Sequence, residues 1–241
     1  MEDKTSVSVN KLNGAITFLD ILGWKGIWQR KSNAVQDLQN LSRHIEKTAQ
    51  NHSRGLGSGI AASAISSVTR VLIISDTIVI TTEATSSDAQ SALELHGILC
   101  SEAIPDSINR GIPVRGATSF GEFSIDSKVN ILVGKAIDEA ASWYELADWI
   151  GVFMSPSAAY LFNDSKSGSW LEYSPPLKDS IDFKSYAVCW FQSSENHQEE
   201  LLSLKKKFTY MSPIFPELIS KFQNTLLFVE KSIKRKDSNV T

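Results

Sequence analysis

The sequence is poor in cysteine, in long apolar runs and in surplus positive charge. Its two cysteines, Cys100 and Cys189, lie far apart in apolar surroundings, which predicts buried free thiols in a reducing compartment. No apolar run approaches the ~20 residues that a membrane-spanning helix needs, and the polar segment 1–10 is unlike a signal peptide. The formal net charge of −3 argues against a general nucleic-acid binder. We therefore expect a soluble, cytoplasmic protein with no nucleic-acid or membrane partner.

Several common functional signatures are also missing. The four histidines show no metal-ligand spacing, and the glycine-rich segment 55–59 lacks the pattern of a phosphate-binding P-loop. Hydrophobic residues make up 42% of 241 residues, which is enough for the core of one large domain. We expect an N-terminal lead-in over 1–12, a domain over 13–192, and a helical extension with a basic tail over 193–241.

Apolar runs and helical spacing predict the order of the elements along the chain. They indicate a strand over Ala15–Ile21, a helix over Ser32–Gln50, a hairpin of Val68–Ile74 and Thr77–Thr82, a helix from Ser86 or Ser87 that Pro105 ends, and a strand over Pro113–Gly121. Further strands and helices follow. The βαββαβ order predicts an α+β fold with a ferredoxin-like core.

Two apolar segments, Phe18–Trp24 and Ile73–Val79, each contain a single aspartate. An aspartate in an apolar run costs several kcal/mol unless something pairs with it. Asp20 and Asp76 on neighbouring strands would offer the hard oxygen ligands that Mg²⁺ and Mn²⁺ prefer. The simpler interpretations are a capping role for Asp20 and a turn role for Asp76, because Ser-Asp favours turns without any metal.

These segments and two others resemble the class III nucleotidyl cyclase catalytic domain, over somewhat more than half of the chain. The matching segments are Phe18–Trp24 with the F-x-D-I-x-G-F metal motif, Ser75–Asp76 with the Gly-Asp hairpin, Val114–Glu122 with R-x-G-I-x-x-G, and Gly134–Ala141 with G-x-x-V-N-x-A-A. The resemblance implies a homodimer in which each active site is built from both chains.

The departures from the family pattern point to a particular branch. Where purine cyclases of the family carry a base-reading lysine and aspartate, this chain has Leu72 and Ile131, which cannot hydrogen-bond a base edge. Asp138 replaces the ribose-orienting asparagine, and Ser142 replaces the transition-state arginine. This pattern resembles the bacterial Pycsar pyrimidine cyclases, phosphorus–oxygen lyases that make cyclic UMP or cyclic CMP as an anti-phage signal for a separate effector protein.

The resemblance also implies roles for individual residues. Asp20, Asp76 and the backbone carbonyl of Ile21 would hold two Mn²⁺ or Mg²⁺ ions. The predicted contacts to UTP or CTP are Phe18, the backbone amides of Leu22, Gly23 and Trp24 near the start of the first helix, Lys135 and Asp138. The candidates to replace the missing arginine are Arg115, Lys135 and Arg70, of which Arg115 is predicted to be catalytic, with a structural ion pair as its alternative.

Three other functions remain open from the sequence. A purine cyclase with an unusual pocket is one, although Leu72 and Ile131 count against it. A catalytically inactive cyclase-like domain that binds a nucleotide or a partner is the second, favoured by Asp138 and Ser142. A regulatory or structural dimer that uses no metal is the third, supported only by the C-terminal helices.

Overall fold

The computed structural model describes residues 11–55, 68–126, 131–163, 167–191, 197–211 and 216–238. Within these ranges the strands are β1 (Lys11–Ile21), β2 (Thr69–Ile74), β3 (Thr77–Glu83), β4 (Val114–Asp126), β5 (Ile131–Val133), β6 (Gly151–Met154), β7 (Trp170–Tyr173) and β8 (Ser185–Val188). The α-helices are α1 (Ala34–Gly55), α2 (Ala89–Asn109), α3 (Lys135–Leu146), α4 (Pro156–Ala159), α5 (His197–Tyr210) and α6 (Pro216–Ser238). None of the described helices has the length and apolar character needed to cross a bilayer.

All of these strands join one sheet in the order β2-β3-β1-β4-β6-β8-β7, with β5 paired to the end of β4. β1 lies antiparallel to both β3 and β4, and β4 runs parallel to β6. The first four strands, with α1 and α2 between them, therefore have the βαββαβ order and the strand arrangement of a ferredoxin-like core. The α+β class and this core order confirm the prediction from the sequence.

Residues of β1 alternate between two hydrophobic clusters on opposite faces of the sheet. Ala15 and Leu19 pack with α1 and α2, whereas Ile16 and Phe18 pack in a smaller cluster beneath α3. Because side chains alternate along a strand with a period of two, Asp20 continues the row of Ile16 and Phe18. Its carboxylate therefore lies on the α3 face of the sheet, where the apolar row ends.

The last helix belongs to the core rather than standing apart from it. Phe228 of α6 is fully buried, and its ring centroid lies 4.7 Å from that of Trp149. The Ile150 amide donates a hydrogen bond of 2.8 Å to Thr225 Oγ1. Helix α6, from the predicted extension 193–241, thus contributes buried residues to the domain over 13–192.

The prediction that Pro105 ends the second helix was wrong, because α2 continues through it to Asn109. Proline lacks an N–H and removes one helical hydrogen bond. Ile104 and Ile108 on either side of it are almost fully buried. Their burial stabilises the last turn enough to offset the lost bond.

The long central strands also exceed their predicted bounds. Lys11 and Leu12, expected in the lead-in over 1–12, belong to β1 because they pair with Ser124 and Phe123 of β4. β4 was expected to end at 121, and it continues because β1 and β5 both pair with its second half. The rest of the lead-in, residues 56–67 and residues 239–241 of the tail lie outside the described residues.

A buried polar network fastens α2 to the sheet. His96 Nδ1 lies 2.6 Å from Thr17 Oγ1, and its Nε2 lies 2.9 Å from Thr82 Oγ1. Thr17 is also 2.7 Å from the hydroxyl of Thr118. Burial lowers the pKa of His96 to about 3, so the folded protein holds this imidazole neutral.

We expect the unfolding free energy to fall by about 2 kcal/mol between pH 7 and pH 5 because of His96 alone. Unfolded histidine binds a proton below its ordinary pKa of 6.5, whereas folded His96 stays neutral, so this stabilisation is present above pH 6.5 and is lost as the pH falls towards 3. Urea unfolding at both pH values, compared with a His96→Gln variant, measures it. Equal pH dependence in both proteins would contradict the prediction.

Candidate active site

The candidate site begins where β1 ends beside the β2–β3 hairpin. Asp20 pairs in register with Thr77 of β3 on one side and with Arg115 of β4 on the other. Asp76 lies in the turn just before Thr77, and its backbone carbonyl accepts a hydrogen bond of 3.3 Å from the Ile21 amide. The structure thus brings the two predicted metal-binding aspartates to the same end of neighbouring strands.

The turn that carries Asp76 has an unusual backbone at Ser75. Its φ of 59° is in the left-handed region, which costs a non-glycine residue roughly 1–2 kcal/mol. This is the position of the glycine in the Gly-Asp hairpin that the sequence resembles. Ser75 therefore has the left-handed backbone conformation that glycine usually adopts. The tight turn places Asp76 beside the end of β1.

Arg115 is a buried ion-pair partner of Asp20. Its Nε lies 2.9 Å from Asp20 Oδ2, and its Nη1 donates to the carbonyls of Glu145 and Ala147 at 3.1 and 3.2 Å. Only 14% of the Arg115 side chain and 15% of the Asp20 side chain are exposed. The guanidinium also lies 5.7 Å from the ring centre of Tyr144. Arg115 is therefore tied to the predicted metal ligand and to the C-terminal end of α3.

The charges around Asp20 do not balance. Burial raises the pKa of its carboxyl above the usual value, and the carboxylates of Asp76 and Glu145 raise it further. Arg115 acts in the opposite direction through its charge and its hydrogen bond, but the pKa of Asp20 stays raised. Asp20, Asp76 and Glu145 together carry more negative charge than the Arg115 guanidinium offsets. An added positive charge would therefore favour the ionised form of Asp20.

Phe18 lies in the core beneath α3, in the row of β1 that Asp20 continues. It is 9% exposed, and its ring stacks on that of Tyr144 with centroids 5.6 Å apart. Burial and the charges of Asp20 and Glu145 raise the pKa of the Tyr144 hydroxyl, and Thr77 is close enough to lower it in part. Phe18 therefore supports Tyr144, and its contact with the substrate stays a prediction.

Lys178 is a site residue that the sequence analysis missed. Burial lowers its pKa, and the neighbouring charges of Arg115 and Lys221 lower it further. Glu145 is also close enough to raise that pKa. Lys178 lies between β7 and β8, far from every motif in sequence, and no residue pattern indicated that this connection returns to β4.

The loop after β1 contains the amides that were expected to hold phosphate. Gly23 has a φ of 71°, and a Cβ built there would lie 3.3 Å from the Leu218 side chain of α6. The Leu22 amide donates to the Pro113 carbonyl at 2.8 Å, so it does not face the site. The amides of Gly23 and Trp24 have no hydrogen-bond acceptor among the described residues.

This loop lies before the first helix and is separated from it by a short turn. A three-residue 3-10 turn over Ile27–Gln29 comes next, and α1 begins only at Ala34. Gly23 and Gly26, with φ values of 71° and 73°, turn the chain before any helix forms. The two remaining amides are therefore presented by a turn, without the dipole of a long helix.

Lys135 and Asp138 lie apart from this site within one chain. Both are exposed in the first turn of α3, whereas Glu145 beside Arg115 is near its last turn. A rise of about 1.5 Å per residue separates the two ends by roughly 15 Å. Arg70, the other candidate cation, forms an ion pair of 3.3 Å with Glu83.

The two positions that departed from the purine pattern come together in the fold. Leu72 on β2 and Ile131 on β5 line one cavity of about 260 Å³. The other lining residues are Ile73, Ile74, Ile125, Asp126 and Leu132. Ile131 is 41% exposed, because β5 pairs only with the end of β4. The cavity is apolar apart from Asp126.

The residues at the Asp20 site suit a hard divalent cation. No cluster of three or more acidic, histidine or cysteine side chains in a metal-binding arrangement occurs among the described residues. Two carboxylates and backbone oxygens leave several ligand positions to water and phosphate, which is how Mg²⁺ is usually bound. The raised pKa of Asp20 is a second sign that the site favours added positive charge.

Comparison with known proteins supports the fold. No family model and no curated protein matches the chain. The adenylyl cyclase CyaB from P. aeruginosa aligns at a TM-score of 0.50 and 12% identity, covering 78% of this chain and 98% of that one. The catalytic core of a rhodopsin-guanylyl cyclase with converted specificity, in complex with ATPαS, aligns at 0.51 and 15%, covering 75% and 97%.

A third solved structure extends the similarity. A bacterial light-regulated adenylyl cyclase aligns at a TM-score of 0.52 and 12% identity, covering 86% of this chain and 60% of that one. The similar structures include both adenylyl and guanylyl cyclases, so the shared feature is the catalytic-domain fold. The chain has the fold of nucleotidyl cyclase catalytic domains.

Proposed function

We propose that the protein is a pyrimidine nucleotide cyclase, which converts UTP or CTP to the 3′,5′-cyclic monophosphate and pyrophosphate. The observation that carries this proposal is the position of Asp20 and Asp76 within a cyclase fold. They lie at one end of adjacent strands, and the charge of Asp76 raises the pKa of Asp20. A fold that had lost its chemistry would have no need of two acids held together at this cost.

Asp20, Asp76 and the Ile21 carbonyl would hold two Mg²⁺ or Mn²⁺ ions. When bound, such ions lower the pKa of the attacking hydroxyl and neutralise the charge of the leaving group. In the reaction, the bond from O3′ to the α-phosphorus forms, the bond from the α-phosphorus to the pyrophosphate oxygen breaks, and the 3′ proton passes to solvent.

The chain supplies further groups for the triphosphate. The amides of Gly23 and Trp24 have no acceptor within the part of the chain that the structure describes, and backbone amides in a turn are suited to binding anions. Arg115 lies beside Asp20, and Lys178 is close enough to Arg115 and Glu145 to be influenced by their charges. They are the residues that could offset the arginine replaced by Ser142 and stabilise negative charge on the phosphates.

The cavity at Leu72 and Ile131 supports a pyrimidine over a purine. At about 260 Å³ it is small, and neither side chain can bond to a purine edge. Asp126 is the one charged residue in its lining. A carboxylate can accept a hydrogen bond from the amino group of cytosine or from the N3–H of uracil, so Asp126 is compatible with both CTP and UTP.

We propose that the active site is completed in a homodimer. Lys135 and Asp138 are too far along α3 to reach Asp20 in the same chain, and a two-fold dimer could bring them to the partner's Asp20 site. An exposed apolar strip supports such an interface. It consists of Ile73, Ile74, Ile131 and Val133, each between 41% and 52% exposed.

An Ile74→Glu variant is expected to be monomeric at concentrations where the native chain is dimeric. The substitution places a charge in the apolar strip, and burying it in an interface would cost several kcal/mol. Size-exclusion chromatography with light scattering measures the mass. Val35→Glu is the matched control, because Val35 is an exposed apolar residue on α1 outside the strip. Dimers of unchanged stability in Ile74→Glu would contradict this interface.

The resemblance to the Pycsar branch further implies a signalling role in anti-phage defence. The cyclic pyrimidine nucleotide would act on a separate effector protein, and the two proteins would communicate only through the messenger. This part of the proposal rests on the sequence resemblance rather than on the geometry of the site.

A catalytically inactive cyclase-like dimer is the second candidate. The ion pair of Asp20 with Arg115 favours it, since that guanidinium occupies one oxygen of the predicted metal ligand. Asp138 and Ser142, in place of the family's asparagine and arginine, favour it as well.

The first experiment is incubation of the full chain with each of ATP, GTP, CTP and UTP plus Mn²⁺, with products resolved by mass spectrometry. A cyclic pyrimidine nucleotide supports the proposal and names the base. A cyclic purine nucleotide would contradict the specificity argued from Leu72 and Ile131. No product from a folded, dimeric protein would favour the inactive dimer.

A further inference from the structure

Two adjoining cavities lie between the end of α2 and the helix α5, away from Asp20 and Asp76. Their volumes are about 350 and 360 Å³, and both are lined by Ile108, Asn109 and Lys207. Small-molecule sites usually occupy about 300–1,000 Å³. The two cavities adjoin at these shared residues and are together named here the α2–α5 groove, after the elements that carry them.

One half of the α2–α5 groove is strongly basic. The cations in its lining are Arg30, Lys31, Arg110 and Lys207. Asp37 partly neutralises two of them, since its carboxylate lies 2.9 Å from Lys31 and 3.7 Å from Arg110. Arg110 also pairs with Asp106 at 2.8 Å. The lining of this half holds these four cations and no acidic residue.

Lys207 is the cation at the junction of the two halves. Its Nζ lies 2.7 Å from Asn109 Oδ1, which is a neutral acceptor. No carboxylate of the described residues lies within ion-pair distance of it. An ammonium group at the meeting point of two cavities, without an acidic partner among these residues, is suited to a phosphate group.

The other half of the groove is mainly apolar and aromatic. Its lining includes Pro105, Trp190, Phe191 and Leu204, together with Glu200 and the serines Ser101 and Ser203. Trp190 is 5% exposed, and its indole N–H is buried away from the cavity. A flat ring would therefore pack on the aromatic faces of this half.

We propose that the α2–α5 groove binds a phosphorylated aromatic small molecule, with a mononucleotide as the smallest ligand that carries both parts. Its phosphate would lie in the basic half at Lys207, and its ring would lie in the half lined by Trp190 and Phe191. The basic half suits the phosphate, and the aromatic half suits the ring. The two halves meet at Lys207, as the phosphate and the ring are linked within one mononucleotide.

The groove also contacts the loop after β1. Arg30, in the basic half, donates hydrogen bonds to the carbonyls of Gly23 and Lys25. A phosphate in the groove would compete with these carbonyls for the same guanidinium and so alter the loop that bears the Gly23 and Trp24 amides. This regulatory consequence rests on the proposed cyclase function, whereas ligand binding itself does not.

Isothermal titration calorimetry of the full chain in EDTA tests the binding, with UMP, AMP, uridine and inorganic phosphate as probes. We expect at least one of the two mononucleotides to bind at least tenfold more tightly than either uridine or phosphate. Lys207→Gln should weaken that binding at least fivefold. Lys206→Gln is the matched control on the same helix, and it should change the affinity less than twofold because Lys206 lines neither cavity.

A second variant tests the ring half. Ser203, in the apolar lining, is exposed on α5, so Ser203→Trp should fold and should block the ring while leaving phosphate binding unchanged. Absence of saturable mononucleotide binding would overturn the proposal, as would equal binding by the native chain, Lys207→Gln and Ser203→Trp. Calorimetry measures binding without turnover. Absence of the proposed cyclase activity would therefore not affect the test of ligand binding in the groove.

The regulatory consequence has its own readout. At saturating nucleoside triphosphate, the bound mononucleotide should change the turnover of the native chain at least twofold and should not change that of Lys207→Gln. An equal response in both proteins would show that the effect arises at the catalytic site and would overturn the coupling through Arg30.

Discussion

Replacing Asp76 with asparagine is expected to lower cyclisation at least a thousandfold while leaving the fold intact. A thousandfold loss is roughly 4 kcal/mol of transition-state stabilisation, a reasonable loss for one of two carboxylates that would hold both cations. The amide side chain has nearly the same size as the carboxylate but carries no charge. The loss would therefore reflect ligand chemistry rather than packing.

The hairpin gives a structural reason to expect that the variant folds. The hydrogen bond from the Ile21 amide goes to the backbone carbonyl of Asp76, which the substitution retains. The turn is held by the backbone of Ser75 and by the pairing of β2 with β3. Removing the Asp76 charge also removes one of the influences that raise the pKa of Asp20, which relieves repulsion.

Asp88→Asn provides the matched control. Asp88 is another half-exposed aspartate in a turn, and it lies before α2, away from the site. The activity of Asp88→Asn should stay within twofold of that of the native chain, as measured from initial rates with UTP or CTP and Mn²⁺. If Asp76→Asn retained a tenth or more of the native activity with an unchanged circular dichroism spectrum, two-metal catalysis by Asp20 and Asp76 would be wrong.

The sequence predicted the parts of this site that depend on local pattern. In a βαββαβ core the first strand is a neighbour of the following hairpin. An aspartate at the end of that strand therefore lies near one in the hairpin turn, so the proximity of Asp20 and Asp76 could be predicted. The Gly-Asp hairpin could be recognised in Ser75–Asp76, and the backbone φ of Ser75 explains why that position matters.

Other parts of the site depend on long-range packing, which local pattern does not reveal. Lys178 reaches Arg115 only because β8 pairs with β6, which pairs with β4. Phe18, predicted at the substrate because of its motif, packs beneath α3 in the same row of β1 as Asp20. The start of α1 was predicted within two residues, although the left-handed Gly23 and Gly26 turn the chain between β1 and α1.

Replacing Arg115 with methionine is expected to lower kcat/KM roughly a hundredfold, the usual effect of removing one group that stabilises developing charge. It is also expected to move the acid limb of the pH–rate profile to higher pH. Arg115 lowers the pKa of Asp20 by its charge and hydrogen bond. Without it, burial and the charges of Asp76 and Glu145 raise that pKa further, so Asp20 becomes protonated at a higher pH.

The change in Mn²⁺ affinity on removing Arg115 separates two roles for this residue. If Arg115 only blocked Asp20, as in the inactive-dimer candidate, its removal would free the carboxylate and strengthen Mn²⁺ binding at neutral pH. If it stabilises the ionised carboxylate and the phosphates, removal should weaken Mn²⁺ binding most at the acid end. Calorimetric Mn²⁺ titrations at several pH values give this answer without any turnover.

Arg70→Met is the matched control, since Arg70 is an arginine with an ion pair to Glu83 away from Asp20. It should leave both the pH profile and the Mn²⁺ affinity unchanged. Arg115→Lys should restore the acid limb in part, because a lysine keeps the charge, but not the full rate, because it lacks the fork that also reaches the Glu145 and Ala147 carbonyls. An unshifted acid limb in Arg115→Met would mean that the ion pair with Asp20 does not control its ionisation during catalysis.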